Sequence, residues 1–305
     1  MNSRIGPGVF GNLLLLTVVW LAMARAAAAQ VRLVGSDLLG HELLTAVHAF
    51  AGREKLSLTV TLDGSRTGLE LLKSGRAQVG LLTLPAEEGP EPAVFASLPI
   101  AWHRVVVVAS SANPLERITL PELAAVFGTG VGSSYNRWGD LGLIEDWQGS
   151  PISAAALADG FGLTAAFFRQ TVLNAHPFRS TVARYVSVAD LRQRVSADRR
   201  VLALASHWSK NSPEGKVLSL AVRTDDPAYP PTTENISSGD YPLRMALRIV
   251  YRHDAEANLG RLLVWLWGDD VAQILERADL VPLPTSARRL HVQMLEKNMQ
   301  KKLPK

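Results

Sequence analysis

The chain has 305 residues, of which 47% are hydrophobic, enough for one large core or two moderate ones. Its formal charge is +4; without residues 1–29, which carry Arg4 and Arg25 and no acid, 30 basic face 28 acidic side chains, net +2, a balance that argues against nucleic-acid binding. The absence of cysteine excludes disulfides, thiolate metal ligation and a lipoprotein anchor, which needs a cysteine at its cleavage site.

Taken in order, residues 1–29 hold Arg4 in a short head, an apolar run from Val9 to Ala24, and four alanines, Ala26–Ala29. The run is short for a full span and ends in small residues, which predicts a secretory signal peptide cut after Ala29 rather than a retained anchor. Val105–Val108 is strand-sized, so no stable membrane span is expected after signal removal. Val31–Val34 reads as a strand, Gly35-Ser36-Asp37 as a turn, and Leu43, Leu44, Val47 and Phe50 recur at helical spacing. Ser36 or Asp37 is placed to cap that helix, whose free amides suit an anion or serve as a plain helix start. Leu56–Leu62 alternates as a strand, Asp63–Gly68 forms a second Gly-Ser turn, and a helix follows from Leu69. Gly75–Thr83 is a turn into a third strand. Two successive strand–turn–helix units imply a parallel sheet whose carboxyl ends face one cleft.

Further on, Leu98–Ala101 and Val105–Val108 are strand-like, and Thr119 is placed to cap a helix over Leu120–Phe127 with Pro121 and Glu122 in its first turn. Leu157–Thr164 holds Gly160 and Gly162 before a helix through Phe167, Phe168 and Val172. Val201–Ala205 is a strand; Pro231–Val250 is a polar loop feeding a partly buried strand; Leu259–Leu280 is a helical pair. Trp265 and Trp267 fit packing positions there. Arg288, Arg289, Lys297, Lys301, Lys302 and Lys305 make a basic end, read as a solvated, partly frayed helix. The seven histidines show no HExxH spacing; His41 and His48 share one helix, seven residues apart. With no G-x-S-x-G elbow and no Walker loop, no catalytic group, metal or cofactor is expected.

One window carries a specific resemblance. Pro231, Thr232, Glu234, Asn235, Ile236, Ser238, Gly239, Tyr241, Pro242 and Leu243 match in order the segment P-T-x-E-N-I-x-S-G-x-Y-P-L of the phosphate-binding-protein-like (PstS-like) family of periplasmic solute-binding proteins. The R-P that follows in the family is replaced by Met245 and Ala246. Gly64, Ser65 and Gly68 resemble its G-S-G-x-G turn, Trp138-Gly139-Asp140-Leu141-Gly142 its W-x-x-L/I-G element, and Gln273 with Ile274 its closing helix. The likeness runs from about Val31 to about Leu283. It implies a two-lobe α/β fold of the type II periplasmic-binding-protein kind with two crossings: residues 30–101 plus 246–290 in lobe one, 102–245 in lobe two, and 291–305 as a basic tail. It further implies a noncatalytic periplasmic protein that passes phosphate to an ATP-driven importer, with an ABC-type permease as partner and no nucleic acid.

The same resemblance locates the ligand and shows what is missing. The family's R-x-x-G-S-G-T turn supplies a guanidinium fork and hydroxyls to an oxyanion. Here Leu157 stands for Arg, Phe161 for Ser and Leu163 for Thr, while Asp159 adds a negative charge. Gln78 replaces the usual Asp, and no acidic acceptor occurs near Thr83. The expected ligand residues are Ser36, Asp37, Ser65, Arg66, Thr67, Thr83, Asp159, Gly160, Phe161 and Gly162, with Arg66 the candidate replacement for the lost fork. A small anion or polar solute is the expected ligand, orthophosphate only weakly. The alternative is a degenerate binding-protein fold acting as a protein-interaction or sensing module.

Overall fold

Three short parallel strands set the architecture of the first lobe. The computed structural model describes residues 30–36, 39–84, 89–130, 132–158, 163–209 and 212–302. Strand β1 (Val31–Gly35) pairs in parallel with β2 (Leu58–Thr61) on one side and β3 (Val79–Thr83) on the other. Helix α1 (Gly40–Glu54) connects β1 to β2 and buries Leu43, Val47 and Phe50 in a cluster with Leu33 and Leu81. Helix α2 (Ser65–Lys73) connects β2 to β3 and packs Leu69 and Leu72 with Val34 and Leu82 in a separate cluster. The chain thus leaves β1 toward β2 and returns past it to β3, which makes a topological switch between β1 and β3 and opens a crevice at their carboxyl ends. A Cβ on Gly35 would meet the Leu81 carbonyl at 2.8 Å, so glycine lets the two strands close up at the crevice mouth.

Antiparallel strands complete this sheet. β4 (Phe95–Arg104) and β12 (Arg244–Arg252) pair along their length, giving the order β13-β4-β12-β3-β1-β2 with β13 (Val281–Pro282) at the edge. The second lobe holds β5 (Val106–Ser110), β7 (Ser153–Leu157), β8 (Ala183–Tyr185), β9 (Val201–Ala205) and β10 (Gly215–Val217) in the order β10-β5-β9-β7-β8. β6 (Arg117–Thr119) and β11 (Ser219–Ala221) form a small parallel pair. A single residue, Val105, separates the last residue of β4 from the first of β5, and β12 begins at Arg244, which is paired with Arg104. The two crossings between lobes therefore run side by side. Each lobe has its own apolar core; that of the second includes Phe127 and Phe168 at 5.5 Å, edge to face.

The remaining helices are α3 (Leu120–Phe127), α4 (Thr164–Thr171), α5 (Val188–Ala197), α6 (Thr233–Ser238), α7 (Glu256–Leu266), α8 (Asp269–Arg277) and α9 (Thr285–Lys302). α3 starts as predicted: Thr119 Oγ1 accepts from the Glu122 amide at 3.3 Å and Glu122 Oε2 accepts from the Thr119 amide at 2.7 Å, a closed capping box. Other expectations shift. α1 begins at Gly40 with Leu39 at its N-cap and no side-chain cap bond, so Ser36 does not cap it. α2 begins at Ser65 rather than Leu69, because Gly64 takes φ +105° and turns the chain directly into the helix. The head of the 231–250 segment contains α6, capped by the Thr232 hydroxyl, where a loop is predicted. Arg288 is not a solvated tail residue: it is 7% exposed and donates to the Leu283 and Trp267 carbonyls and to Asp269. Trp267 is buried, and Trp265 stacks on Phe50 at 4.6 Å, as packing positions require. Among the described residues no helix is long and apolar enough to cross a membrane.

Candidate functional site

The crevice opens into a cavity of about 890 Å³ between the lobes. Lobe one contributes Ser36 after β1, Asp63 and Gly64 after β2, Ser65, Arg66 and Thr67 in the first turn of α2, and Thr83 at the end of β3. Opposite stands α4 with Leu163, Ala166, Phe167, Arg169, Gln170 and Thr171. The crossing strands supply Trp102 from β4 and Arg244, Met245, Ala246 and Arg248 from β12. Four guanidinium groups thus border the cavity against one carboxylate, Asp63, among the described lining residues. A partly enclosed space so charged favours an anion.

Local folding fixes the lobe-one wall. The Gly64 amide donates to the Gly35 carbonyl at 3.0 Å, which holds the start of α2 against the end of β1. The first-turn amides of a helix have no intrahelical acceptor and form its positive end. Ser65 Oγ accepts from the Thr83 amide at 2.9 Å, so its lone pair is engaged and its proton is directed elsewhere. Ser36 is 1% exposed, its amide donating to the Leu81 carbonyl at 2.9 Å.

The other walls differ in chemistry. The Arg244 guanidinium lies 4.0 Å from the Trp102 ring centre and donates to the Ile236 and Ser237 carbonyls, and burial holds its pKa below the usual arginine range. Arg248 Nη1 donates to the Ser97 carbonyl at 3.2 Å. α4 starts with Leu163 at its N-cap and no side-chain cap bond. Leu163, Ala166, Phe167 and Gln170 follow helical spacing and form the stripe that borders the cavity.

Ser36, Ser65, Arg66, Thr67 and Thr83, all expected from the sequence, are brought together on this cavity. Asp37, Asp159, Gly160, Phe161 and Gly162 lie outside the described residues. Leu157, the position of the family's arginine, is 4% exposed and packs in an apolar cluster with Val106 and Val201 rather than on the cavity wall. Sequence reasoning missed Trp102, Arg169, Gln170, Arg244 and Arg248. Period-two alternation along β12 carried the signal for two of them: Arg244, Ala246 and Arg248 share a strand face, and Ala246 pairs with Trp102 across the ladder.

His207 Nδ1 lies 3.1 Å from Asp279 Oδ2, joining the segment after β9 to the segment before β13. The hydrogen bond from His207 holds the Asp279 carboxyl below the usual range. Buried beside them, His103 is lowered to about 4 by desolvation, so it is neutral at pH 7.

The PBP superfamily domain is matched across residues 22–269. The chain is 25% identical to SphX of Synechococcus elongatus over 262 residues, covering 82% of this chain and 76% of SphX. It is 24% identical to the phosphate-binding protein PstS of Pseudomonas aeruginosa over 271 residues, 82% of each chain. The solved structure of PstS from Borrelia burgdorferi has the same fold, with a TM-score of 0.71 at 16% identity over 84% of this chain and 99% of that one. The chain belongs to the PBP superfamily, as a PstS-like member built on two lobes.

Proposed function

We propose that this protein is a noncatalytic solute-binding protein that takes a small anion or polar solute into the interlobe cavity and hands it to an ABC-type permease. The observation that carries this reading is the cavity itself. It sits at a topological switch point, between a helix N-terminus with serine and threonine hydroxyls and strands carrying arginines. The SphX and PstS likenesses support the transport role, and the predicted signal peptide supports a periplasmic location after cleavage at Ala29. The hinge lies at Val105 and Leu243, where the crossings meet, and the lobes bend there when ligand favours the closed form. The interaction-module alternative gains nothing from a site whose charged and hydroxyl groups converge on one enclosed space.

Titration calorimetry of the mature chain with orthophosphate, sulfate and phenylphosphonate, paired with small-angle scattering, tests this. At least one anion should bind, and its binding should shrink the radius of gyration. A folded chain that binds none of the three, or binds without compaction, overturns the reading.

A further inference from the structure

We infer that the ligand is an organic oxyanion, one whose charged head carries an apolar, ring-bearing group, rather than inorganic phosphate. The inference rests on the solute-binding reading above and assigns its ligand class.

The cavity walls differ in how much apolar surface they present. On the lobe-one side the α2 N-terminus, Ser36, Ser65 and Thr83 offer donors to an oxyanion. Among the described residues, the facing wall is mixed: Leu163, Ala166 and Phe167 form an apolar patch at the start of α4, and Arg169, Gln170 and Thr171 lie toward its end. Trp102 and Met245 extend the apolar surface across the crossing strands. A tetrahedral inorganic anion needs donors on every side once water is excluded, because a buried charge without partners is costly. Closing this cleft on such an anion would strip its water against leucine and phenylalanine. An anion with one apolar substituent matches both walls at once, its head toward Ser65 and its ring toward Phe167 and Trp102.

Two further observations agree. A volume of about 890 Å³ lies within the range of sites for organic ligands, roughly 300–1,000 Å³. The Arg244 guanidinium is committed to the Ile236 and Ser237 carbonyls and to the Trp102 face. It therefore acts as a positioning residue that braces the indole in the cavity wall.

The test compares phenylphosphonate, methylphosphonate and orthophosphate by titration calorimetry at one pH and ionic strength. Phenylphosphonate should bind at least about tenfold more tightly than the other two, the contribution of one aromatic contact. Phe167→Ala should remove that preference, read as the ratio of phenylphosphonate to orthophosphate affinity measured on the same variant. Leu163→Ser, which restores a hydroxyl at the α4 N-cap without enlarging a core residue, should raise orthophosphate affinity and narrow the preference. Orthophosphate binding as tightly as phenylphosphonate overturns the inference and leaves the solute-binding reading standing. Failure of these three anions and of sulfate to bind a chain with an intact thermal transition overturns both.

Discussion

Tyr241 Oη donates a 2.8 Å hydrogen bond to the Val105 carbonyl, the one residue between the two sheets on the first crossing. The Val105 amide donates to the Leu243 carbonyl at 3.0 Å, so both peptide groups of Val105 are held by the returning segment. Tyr241 and Val105 are each 0% exposed, and burial pushes the Tyr241 phenol far above its usual pKa. Tyr241 thus ties the two crossings to each other, which gives a structural reason for a tyrosine at that point of the 231–243 motif.

Tyr241→Phe keeps the ring and leaves a buried carbonyl without its donor. The expected loss is about 1–3 kcal/mol, read by calorimetry as a fall of roughly 2–4 °C in Tm per kcal/mol for a chain of this size. An unchanged Tm would show that water replaces the phenol and that the crossings are not stitched by it.

Asp198 gathers the polar contacts of the second sheet's rim. It accepts from Arg200 Nε and Arg194 Nη2, each at 2.8 Å, and from Ser153 Oγ at 3.2 Å, and is 8% exposed. The hydrogen bond from Arg200, with those from its amide and Ser153, holds the carboxyl at about 2, against the usual 3.8. A folded pKa below the unfolded one means the contribution is complete above about 3.8 and disappears as pH falls through about 2. Asp198→Asn should therefore cost about 1–3 kcal/mol at pH 7. Urea unfolding across pH should show the two proteins converging below pH 4; a constant gap would mean that shape, not charge, is what Asp198 supplies.

The frame of the molecule was legible wherever local signals agreed. Thr119, Pro121 and Glu122 predict α3 to the residue, and the alternation of 56–62 and the Gly-Ser turns predict parallel strands that end at one cleft. The lobe-one half of the site follows from those turns. The rest was hidden for physical reasons. Arg244 and Arg248 look like ordinary strand charges until the fold sets Arg244 over the Trp102 ring and both on the cavity wall. Leu157 looks like a site position by alignment, yet strand geometry turns its side chain into the core. The α2 boundary was misplaced because Ser65, Arg66 and Thr67 read as turn residues, and only the backbone angle at Gly64 lets them start a helix.

Export should remove residues 1–29. The apolar run and the four alanines before Gln30 motivate this. Intact-mass measurement of protein released from the periplasm should give a chain starting at Gln30, whereas a mass that includes Met1 would overturn the prediction.

Ser65 has two partners to satisfy, and substitutions separate them. Its oxygen accepts from the Thr83 amide at 2.9 Å, which anchors the end of β3 to the start of α2, and its proton remains to donate into the cavity. Ser65→Ala removes both. Loss of the acceptor for the Thr83 amide should lower stability by about 1 kcal/mol. Loss of the donor should weaken anion binding by roughly ten- to a hundredfold, since a hydrogen bond to a charged group contributes about 1.5–3 kcal/mol. Ser65→Thr keeps the hydroxyl and should restore both quantities. Calorimetric titration beside a thermal melt reads them independently. If Ser65→Ala melts lower yet binds phenylphosphonate as the parent chain does, the hydroxyl serves only to fasten β3, and the anion head sits elsewhere in the cavity.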